Sequence, residues 1–196
     1  MAKSLLKKFE GGLSYNEISK FTSKARTWYI NELKSMKVNR QALLRDSEVI
    51  KKNRFLPGRM FMFFYDPKHK ATLPYYDQFP LILAVEKVKG KPGFYGLNFH
   101  YLDYRKRAIL LSRLLQYSNN KKYDESTRLK LSYKLLKNAA KLEAFKPCFK
   151  HYLPSQIKGQ IKMVPADYWE TALFFPSEQF KGAAKNSVFS DSRSKI

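Results

Sequence analysis

The chain has 196 residues, of which 44% are hydrophobic and 15% aromatic, so it is long and apolar enough to bury a core and is not a disordered polymer. Its 38 Lys and Arg residues against 16 Asp and Glu residues give a formal net charge of +22. Such a basic chain repels itself unless an acidic partner lies against it, which disfavours a free-standing metabolic enzyme and favours nucleic acid or an acidic protein as partner.

The first part of the chain, residues 1–53, is predicted to be helical. Between residues 18 and 36 the apolar residues recur at steps of three and four, which is the spacing of one helix face. Ser14 is expected to cap this helix, and the Gly11-Gly12 pair is expected to form a turn before it. A second, shorter helix is expected over residues 40–51.

The middle of the chain is predicted to form an antiparallel sheet. Residues 59–65, 80–88 and 94–102 are rich in β-formers and are separated by turn signals. The nearly continuous apolar start of the second segment indicates a strand that is buried on both faces. Residues 161–164 are a candidate fourth strand. Because three strands alone are marginally stable, the sheet is expected to curl and to be covered by helices.

Helical periodicity returns after the sheet. Residues 104–117 carry one apolar stripe, a further helix is expected to begin at Asp124, and a short helix is expected over residues 166–174. The sequence therefore predicts an α+β fold, in which a small curled antiparallel sheet is flanked by basic α-helices. Three parts are expected: an N-terminal helical segment (1–53), an α+β core with the curled sheet and basic helices (54–176), and a polar C-terminal tail (177–196).

Almost half of the net charge falls between residues 104 and 150, where thirteen Lys or Arg residues and three Asp or Glu residues give +10. Two groups there are candidate contacts with nucleic acid or an acidic partner: Arg105, Lys106 and Arg107, and the helical set Lys130, Lys134, Lys137 and Lys141. The helical set shares one face, where like charges repel by roughly a few tenths of a kcal/mol per pair. A phosphate backbone would turn this repulsion into attraction and release counterions. A solvated lysine face is the alternative, and the charge pattern does not distinguish DNA from protein as the partner.

Aromatic residues are concentrated between residues 61 and 101. We expect them mainly to fill the core of a small sheet and to form a tyrosine-rich contact surface. Stacking on the bases of a single strand is the alternative. The candidate protein-interface residues are Phe61, Phe63, Tyr65, Tyr75, Tyr76 and Tyr95.

The sequence contains no standard motif for catalysis, nucleotide binding or metal binding. The histidines, His69, His100 and His151, are expected to be surface residues or hydrogen-bonded structural residues. A metal-dependent nuclease needs converging carboxylates, and the candidates in the sheet region are Asp66, Asp77 and Glu86. The lysines next to Glu86 fall on the wrong face of a strand for that role, so neither a metal, a cofactor nor a small-molecule substrate is expected.

Cys148 is the only cysteine, which excludes an intramolecular disulfide and a multi-cysteine zinc site. Its neighbours Pro147 and Phe149 are apolar, so a buried, unreactive thiol is expected. No signal peptide is expected, because the residues after Met1 lack a long apolar stretch. No run approaches the roughly 18 apolar residues of a membrane span, so no contact with a membrane is expected.

Three sequence blocks resemble virion proteins of T4-type tailed phages. They are residues 58–70 (GRMFMFFYDPKHK), 73–81 (LPYYDQFPL) and 93–102 (GFYGLNFHYL), which cover part of the chain. The resemblance is to two groups, a small baseplate wedge protein and the DNA end protector, and the length of the chain suits the wedge group better. The wedge group implies a structural protein that binds neighbouring baseplate proteins, and the end-protector group implies a cap on the packaged DNA terminus. Neither group implies catalytic residues.

The main interpretation is a non-enzymatic component of a tailed-phage baseplate, located in the virion and assembled in the host cytoplasm. It would bind other baseplate proteins through its aromatic sheet region and its basic surface. The first alternative is a virion protein that binds the double-stranded ends of the packaged DNA. The second is a metal-dependent DNA-processing enzyme that uses Asp66, Asp77 and Glu86.

Overall fold

The computed structural model describes residues 4–19, 22–36, 40–118, 122 and 124–194. The α-helices in these residues are α1 (Leu5–Tyr15), α2 (Ser23–Met36), α3 (Arg40–Leu44), α4 (Tyr104–Ser118), α5 (Glu125–Lys141), α6 (Trp169–Phe174) and α7 (Lys185–Ser194). The strands are β1 (Ile50–Lys52), β2 (Met60–Tyr65), β3 (Tyr76–Asp77), β4 (Leu81–Lys87), β5 (Phe94–Asn98), β6 (Phe149–Tyr152), β7 (Ile157–Val164) and β8 (Phe180–Lys181).

Six strands form one antiparallel sheet in the order β1-β7-β2-β4-β5-β6, and β3 pairs with β8 in a separate small sheet. This arrangement confirms the predicted α+β fold, and the three predicted strands correspond to β2, β4 and β5. Within the described residues the large sheet stays open, with β1 and β6 at its edges. The sequence does not predict β6, because its four residues lie between two prolines and carry no alternating pattern.

Both faces of the large sheet are buried along β2 and β4, because these strands carry apolar side chains at nearly every position. Met60, Leu83 and Leu97 belong to the main core, to which the helices also contribute. Phe61 and Phe63 belong to a second, smaller cluster. Three further members of that cluster are Ile82, Phe94 and Tyr152, and the partly buried Phe55 and Leu56 pack against it.

The N-terminal helix begins after Ser4, whose side chain caps it. The predicted turn at Gly11-Gly12 with Ser14 as a helix cap is wrong, because α1 continues through these residues to Tyr15. Gly12 is instead required for packing between helices. A Cβ atom at this position would lie 2.5 Å from the ring of Trp28 in α2.

The second predicted helix, over residues 40–51, is shorter than expected and ends at Leu44 as α3. Beyond it, the buried carboxylate of Asp46 accepts hydrogen bonds from the Leu5 and Leu6 amides at the start of α1. The following residues extend and pair with β7, where Ile50 lies opposite Met163. Tertiary hydrogen bonds therefore override the apolar spacing that predicts a continuous helix.

The segment expected to be a polar tail is packed into the main core over its described residues, 177–194. It contains β8 and α7, and the α7 side chains of Val188 and Phe189 are buried. The sequence does not reveal this packing because only three large apolar residues, Phe180, Val188 and Phe189, interrupt a polar stretch. No helix in the described part of the chain is long and apolar enough to cross a membrane.

Candidate nucleic-acid interface

One face of α5 is basic and exposed, while another side of the helix packs on the core through the fully buried Leu136. Residues three or four positions apart lie close together around a helix that turns by about 100° per residue. Three exposed side chains on this face are Lys134, Lys137 and Lys141. Lys130 occupies the same helix and the same face by position, and its side chain lies outside the described residues.

Glu86 of β4 links the α5 face to the sheet. Its carboxylate accepts a hydrogen bond of 2.6 Å from the Tyr133 hydroxyl and lies 3.1 Å from the ammonium group of Lys137. The hydrogen bond from Tyr133 is the main cause that lowers the pKa of Glu86, and Lys137 lowers this pKa further. Lys137 therefore anchors α5 to the sheet in addition to carrying positive charge.

The hairpin between β4 and β5 places a second basic group next to this face. Its turn includes Gly90 at a φ of 69°, a conformation that glycine adopts without strain. The exposed lysines of the hairpin are Lys87, Lys89 and Lys91. Because Glu86 directly precedes the hairpin and contacts Lys137, the two basic groups are adjacent. We call the lysines at positions 134, 137, 141, 87, 89 and 91 together the α5–hairpin surface.

The second predicted basic group, at the start of α4, does not present a continuous surface. Arg105 is exposed and Lys106 is half-buried, but Arg107 is fully buried. Its guanidinium group donates hydrogen bonds to the backbone carbonyls of Leu102, Leu173 and His100. The prediction that Arg107 contacts a partner is therefore wrong for this fold. Consecutive helical residues point about 100° apart, so three adjacent basic residues cannot share one face.

The predicted aromatic protein interface is largely internal. The fully or mostly buried members are Phe61, Phe63, Tyr65 and Tyr76, and the half-buried members are Tyr75 and Tyr95. The prediction that Phe61 and Phe63 contact a partner is wrong, because both rings fill the smaller core cluster of the sheet. The burial of these rings instead agrees with the expectation that the aromatic residues mainly fill the core of a small sheet.

A cleft of about 510 Å³ opens at the hairpin end of the sheet, on the face of the smaller core cluster and therefore on the opposite face from α5. Its apolar lining includes Phe55, Phe94, Ala84 and Ile161, and its polar lining includes Arg54, Glu86, Lys87 and Lys91. We call it the Phe55–Phe94 cleft. Sequence reasoning missed it, because the loop residues Arg54 and Phe55 reach Phe94 only through tertiary folding. The features of the sequence that could have indicated this cleft are the Arg54-Phe55 pair and the lysine-rich turn at residues 87–91.

Asp77, His100 and Ser177 form a buried chain of hydrogen-bonding groups. His100 Nδ1 lies 2.7 Å from Asp77 Oδ2, and His100 Nε2 lies 3.1 Å from Ser177 Oγ. The order of these groups is that of a serine nucleophile, a base and a carboxylate. All three residues are buried, however, and His100 is fully so, which leaves the serine oxygen without an open face for a substrate. These hydrogen-bonding groups instead connect β3 and the C-terminal segment to the turn after β5, in agreement with a structural role for His100.

The carboxylates considered for a nuclease site have separate partners. Asp66 forms an ion pair of 2.9 Å with Lys70, whereas Asp77 and Glu86 bind the groups described above. Within the described ranges, no group of three or more His, Cys, Asp or Glu side chains is arranged to hold a metal ion. Cys148 is fully buried, and this burial raises the pKa of its thiol to about 12, as expected for an unreactive cysteine.

Comparison with known proteins gives one finding that bears on these features. A family model described as "Phage T4 terminal DNA protecting protein" matches residues 14–194 of the chain. No curated protein and no solved structure is similar enough to be matched.

Proposed function

Because the chain belongs to the phage T4 terminal DNA protecting protein family, we propose that it binds the ends of double-stranded phage DNA and shields them from attack. The family match supports the interpretation as a protein that binds DNA ends, which the sequence analysis gives as an alternative. It gives no support to a baseplate wedge protein. Under the present proposal the protein acts by covering the DNA terminus, in the phage particle or in the infected cell.

The observation that carries the proposal is the α5–hairpin surface. Six exposed lysines lie on α5 and on the hairpin that Glu86 links to it, in a chain with a net charge of +22. The neighbouring carboxylate of Glu86 is already paired with Lys137, so it compensates only part of this charge. Lysines arranged in this way bind the phosphate backbone without regard to base sequence, since the binding energy comes from Coulomb attraction and counterion release.

Protection of a DNA end requires occupancy rather than chemistry. A protein bound over the last base pairs keeps an exonuclease from the terminal phosphodiester bonds, and no bond in the DNA needs to change. This mode of action needs affinity for phosphates and a contact that holds the protein at the terminus. The α5–hairpin surface provides the first of these.

The proposal is tested by exonuclease digestion of an end-labelled linear duplex in the presence of the protein. We expect the parent protein to slow digestion, and we expect linear DNA to compete for binding better than closed circular DNA. A variant of the α5 face should protect poorly, and its affinity should depend less steeply on salt, by about one unit of log–log slope for each phosphate that it no longer binds. This variant is Lys130→Gln, Lys134→Gln, Lys137→Gln and Lys141→Gln.

A matched control removes the same four charges from exposed positions on other elements. It is Lys24→Gln, Lys51→Gln, Lys158→Gln and Lys181→Gln. Glutamine is a good helix former, and the hydrogen bond from Tyr133 to Glu86 still holds α5 on the sheet without Lys137, so the α5 variant should keep its fold, which circular dichroism can verify. The proposal fails if the parent neither protects linear DNA nor binds it. An equal reduction of protection in the two variants would assign the effect to net charge rather than to the α5 face.

A second outcome would favour the baseplate interpretation. If the parent has no affinity for DNA but binds acidic proteins of the phage particle, and the α5 variant does not bind them, the same surface serves a protein partner. Affinity chromatography of disassembled particles on the parent and on both variants distinguishes this case.

A further inference from the structure

Two nearly parallel aromatic rings line the Phe55–Phe94 cleft, and Tyr152, which does not line it, packs beyond Phe94. The rings of Phe55 and Phe94 stack with centroids 3.7 Å apart and planes inclined by 25°. Phe94 and Tyr152 are also nearly parallel, at 5.6 Å and 21°. Phe94 and Tyr152 are buried, whereas Phe55 is half-buried and is therefore the most accessible ring of the three. A flat aromatic surface of this kind accepts any nucleobase, because every base has a π-face.

Positive and polar groups surround this aromatic surface. Arg54, Lys87 and Lys91 are exposed and line the cleft together with the amide of Asn53, which can both donate to and accept from a base edge. Glu86 also lines the cleft, and its charge is paired with Lys137. The volume of about 510 Å³ lies in the range typical of small-molecule sites. An apolar stacking surface beside cationic groups matches the two halves of a nucleotide, a base and a phosphate.

The position of the cleft connects it to the α5–hairpin surface. Lys87 and Lys91 belong to both, so a duplex whose phosphates contact the hairpin has its terminus within reach of the cleft on the other face of the sheet. An interior base pair cannot enter, because its bases remain stacked and paired. An unpaired terminal nucleotide can enter at little cost, since the penalty for leaving the stack is smallest for a base that is already single-stranded.

We infer, on the basis of the proposed function, that the Phe55–Phe94 cleft binds one unpaired nucleotide at the DNA terminus. Its base stacks on Phe55, and its phosphate lies against Arg54, Lys87 and Lys91. The cleft thus supplies the contact that holds the protein at an end, whereas the α5–hairpin surface supplies affinity for duplex DNA in general.

The test uses duplexes closed by a hairpin at one end, so that each has a single terminus. The terminus is blunt or carries one unpaired nucleotide at its 3′ or 5′ side, and a dumbbell closed at both ends has no terminus. The unpaired base is 2-aminopurine, whose fluorescence falls when it stacks on an aromatic ring. We expect one of the overhang duplexes to bind about 5- to 150-fold more tightly than the blunt duplex, which corresponds to the stacking of one base. Its fluorescence should be quenched on binding.

Two variants separate the cleft from the general surface. Phe55→Leu removes the ring but keeps an apolar side chain, and Arg54→Gln removes an exposed cation that lines the cleft and is not part of the α5–hairpin surface. Each variant should reduce the preference for the overhang at least several-fold. Affinity for the dumbbell should stay within about twofold of the parent, because neither residue belongs to the α5–hairpin surface. The control Phe180→Leu changes a half-buried aromatic residue of β8, outside the cleft, and should retain the preference.

The outcomes distinguish this inference from the proposed function. If the parent binds all duplexes equally, or if both cleft variants remain folded and keep the preference and the quenching, the inference is overturned while the proposed function stands. If the parent binds no duplex, both are overturned. Displacement of the overhang duplex by micromolar deoxyadenosine monophosphate would assign the cleft to a free nucleotide and would also overturn the inference. If Phe55→Leu does not fold, Arg54→Gln decides alone.

Discussion

Glu178 is a buried acidic residue that holds the C-terminal segment against α4. Its carboxylate accepts a hydrogen bond from Tyr104, contacts the Lys185 ammonium, and lies 3.8 Å from the Arg107 guanidinium. Burial disfavours the charged form of Glu178, but the positive charges of Arg107 and Lys185 lead the interactions that outweigh it and lower the pKa to about 2. The folded protein therefore keeps this carboxylate charged at a pH where an unfolded chain protonates it.

We predict that Glu178→Gln destabilises the protein at pH 7 by about 3 kcal/mol, because a shift of the pKa from 4.5 to about 2 represents roughly that free energy. Since the pKa is lower in the folded state, this stabilisation is present above about pH 4.5 and is lost as the pH falls towards 2. The difference in unfolding free energy between parent and variant should therefore shrink over this range. Urea unfolding at pH values between 7 and 2.5 measures it.

A matched control for this prediction is Glu143→Gln, which removes the same charge from an exposed ion pair with Lys146. It should change the unfolding free energy by less than about 1 kcal/mol, as exposed ion pairs usually do. A difference between parent and Glu178→Gln that stays constant from pH 7 to 2.5 would contradict the lowered pKa. It would leave only a packing role for the side chain.

At the scale of single elements, the contact between α1 and α2 depends on one of two adjacent glycines. A Cβ at Gly11 would meet no atom within 4 Å, whereas a Cβ at Gly12 would lie 2.5 Å from the Trp28 ring. We predict that Gly11→Ala stabilises the protein by about 0.5–1 kcal/mol, the gain expected for alanine in a helix. Gly12→Ala should be destabilising despite the same gain, because Trp28 must move out of its packed position.

Urea unfolding of the two alanine variants measures this difference, and each variant serves as the control for the other. Equal stabilisation by both would show that Trp28 moves at no cost and that α1 and α2 are loosely packed. The expected opposite signs would show that helix propensity is subordinate to the packing of this ring.

Elements with a strong local pattern could be predicted from the sequence, and those fixed by distant contacts could not. The apolar strands β2, β4 and β5 carry their own signal, and α5 carries a periodic one that begins at its N-cap, Asp124. β1 carries no such local signal, because the backbone at Ile50 is extended only through its pairing with β7. For the candidate site, the lysine face of α5 follows from helical spacing alone. Its contact with the hairpin depends on Glu86, whose partner on α5 lies about 50 residues away in the sequence.

The burial of Arg107 illustrates the same limit for a single residue. Its neighbours in sequence are basic, so composition predicts a charged patch at the start of α4. Its position on the helix instead directs it inward, where backbone carbonyls and Glu178 satisfy the guanidinium group. Only knowledge of the packed C-terminal segment would have identified this buried arginine.

For the whole molecule, the net charge of +22 predicts two opposite effects of salt. Salt screens repulsion within the folded protein, since the Debye length falls to about 10 Å at 0.1 M. The melting temperature of the free protein should therefore rise between 0.02 and 0.3 M NaCl (about 2–4 °C for each kcal/mol of repulsion relieved). Over the same range the affinity for duplex DNA should fall steeply.

Differential scanning calorimetry and fluorescence anisotropy measure these two effects on the same sample. In the α5 variant described above, four charges are absent, so both salt dependences should be weaker than in the parent. A melting temperature that falls with salt would mean that favourable ion pairs outweigh the repulsion. The picture of a surface that needs an anionic partner would then be incorrect.

The packing of residues 177–185 against α4 also imposes an order on the synthesis of the chain. Translation proceeds from the N-terminus, so Arg107 leaves the ribosome before Glu178 has been made. At about 5–20 residues per second, the roughly 70 residues between them take about 4 to 14 seconds. During this interval the guanidinium group has no carboxylate to pair with inside the core, and the nascent chain already carries most of its lysines. The complete fold includes the buried Val188 and Phe189 of α7, so it forms only after translation has passed these residues, and until then a basic, incompletely folded chain lies beside ribosomal and messenger RNA.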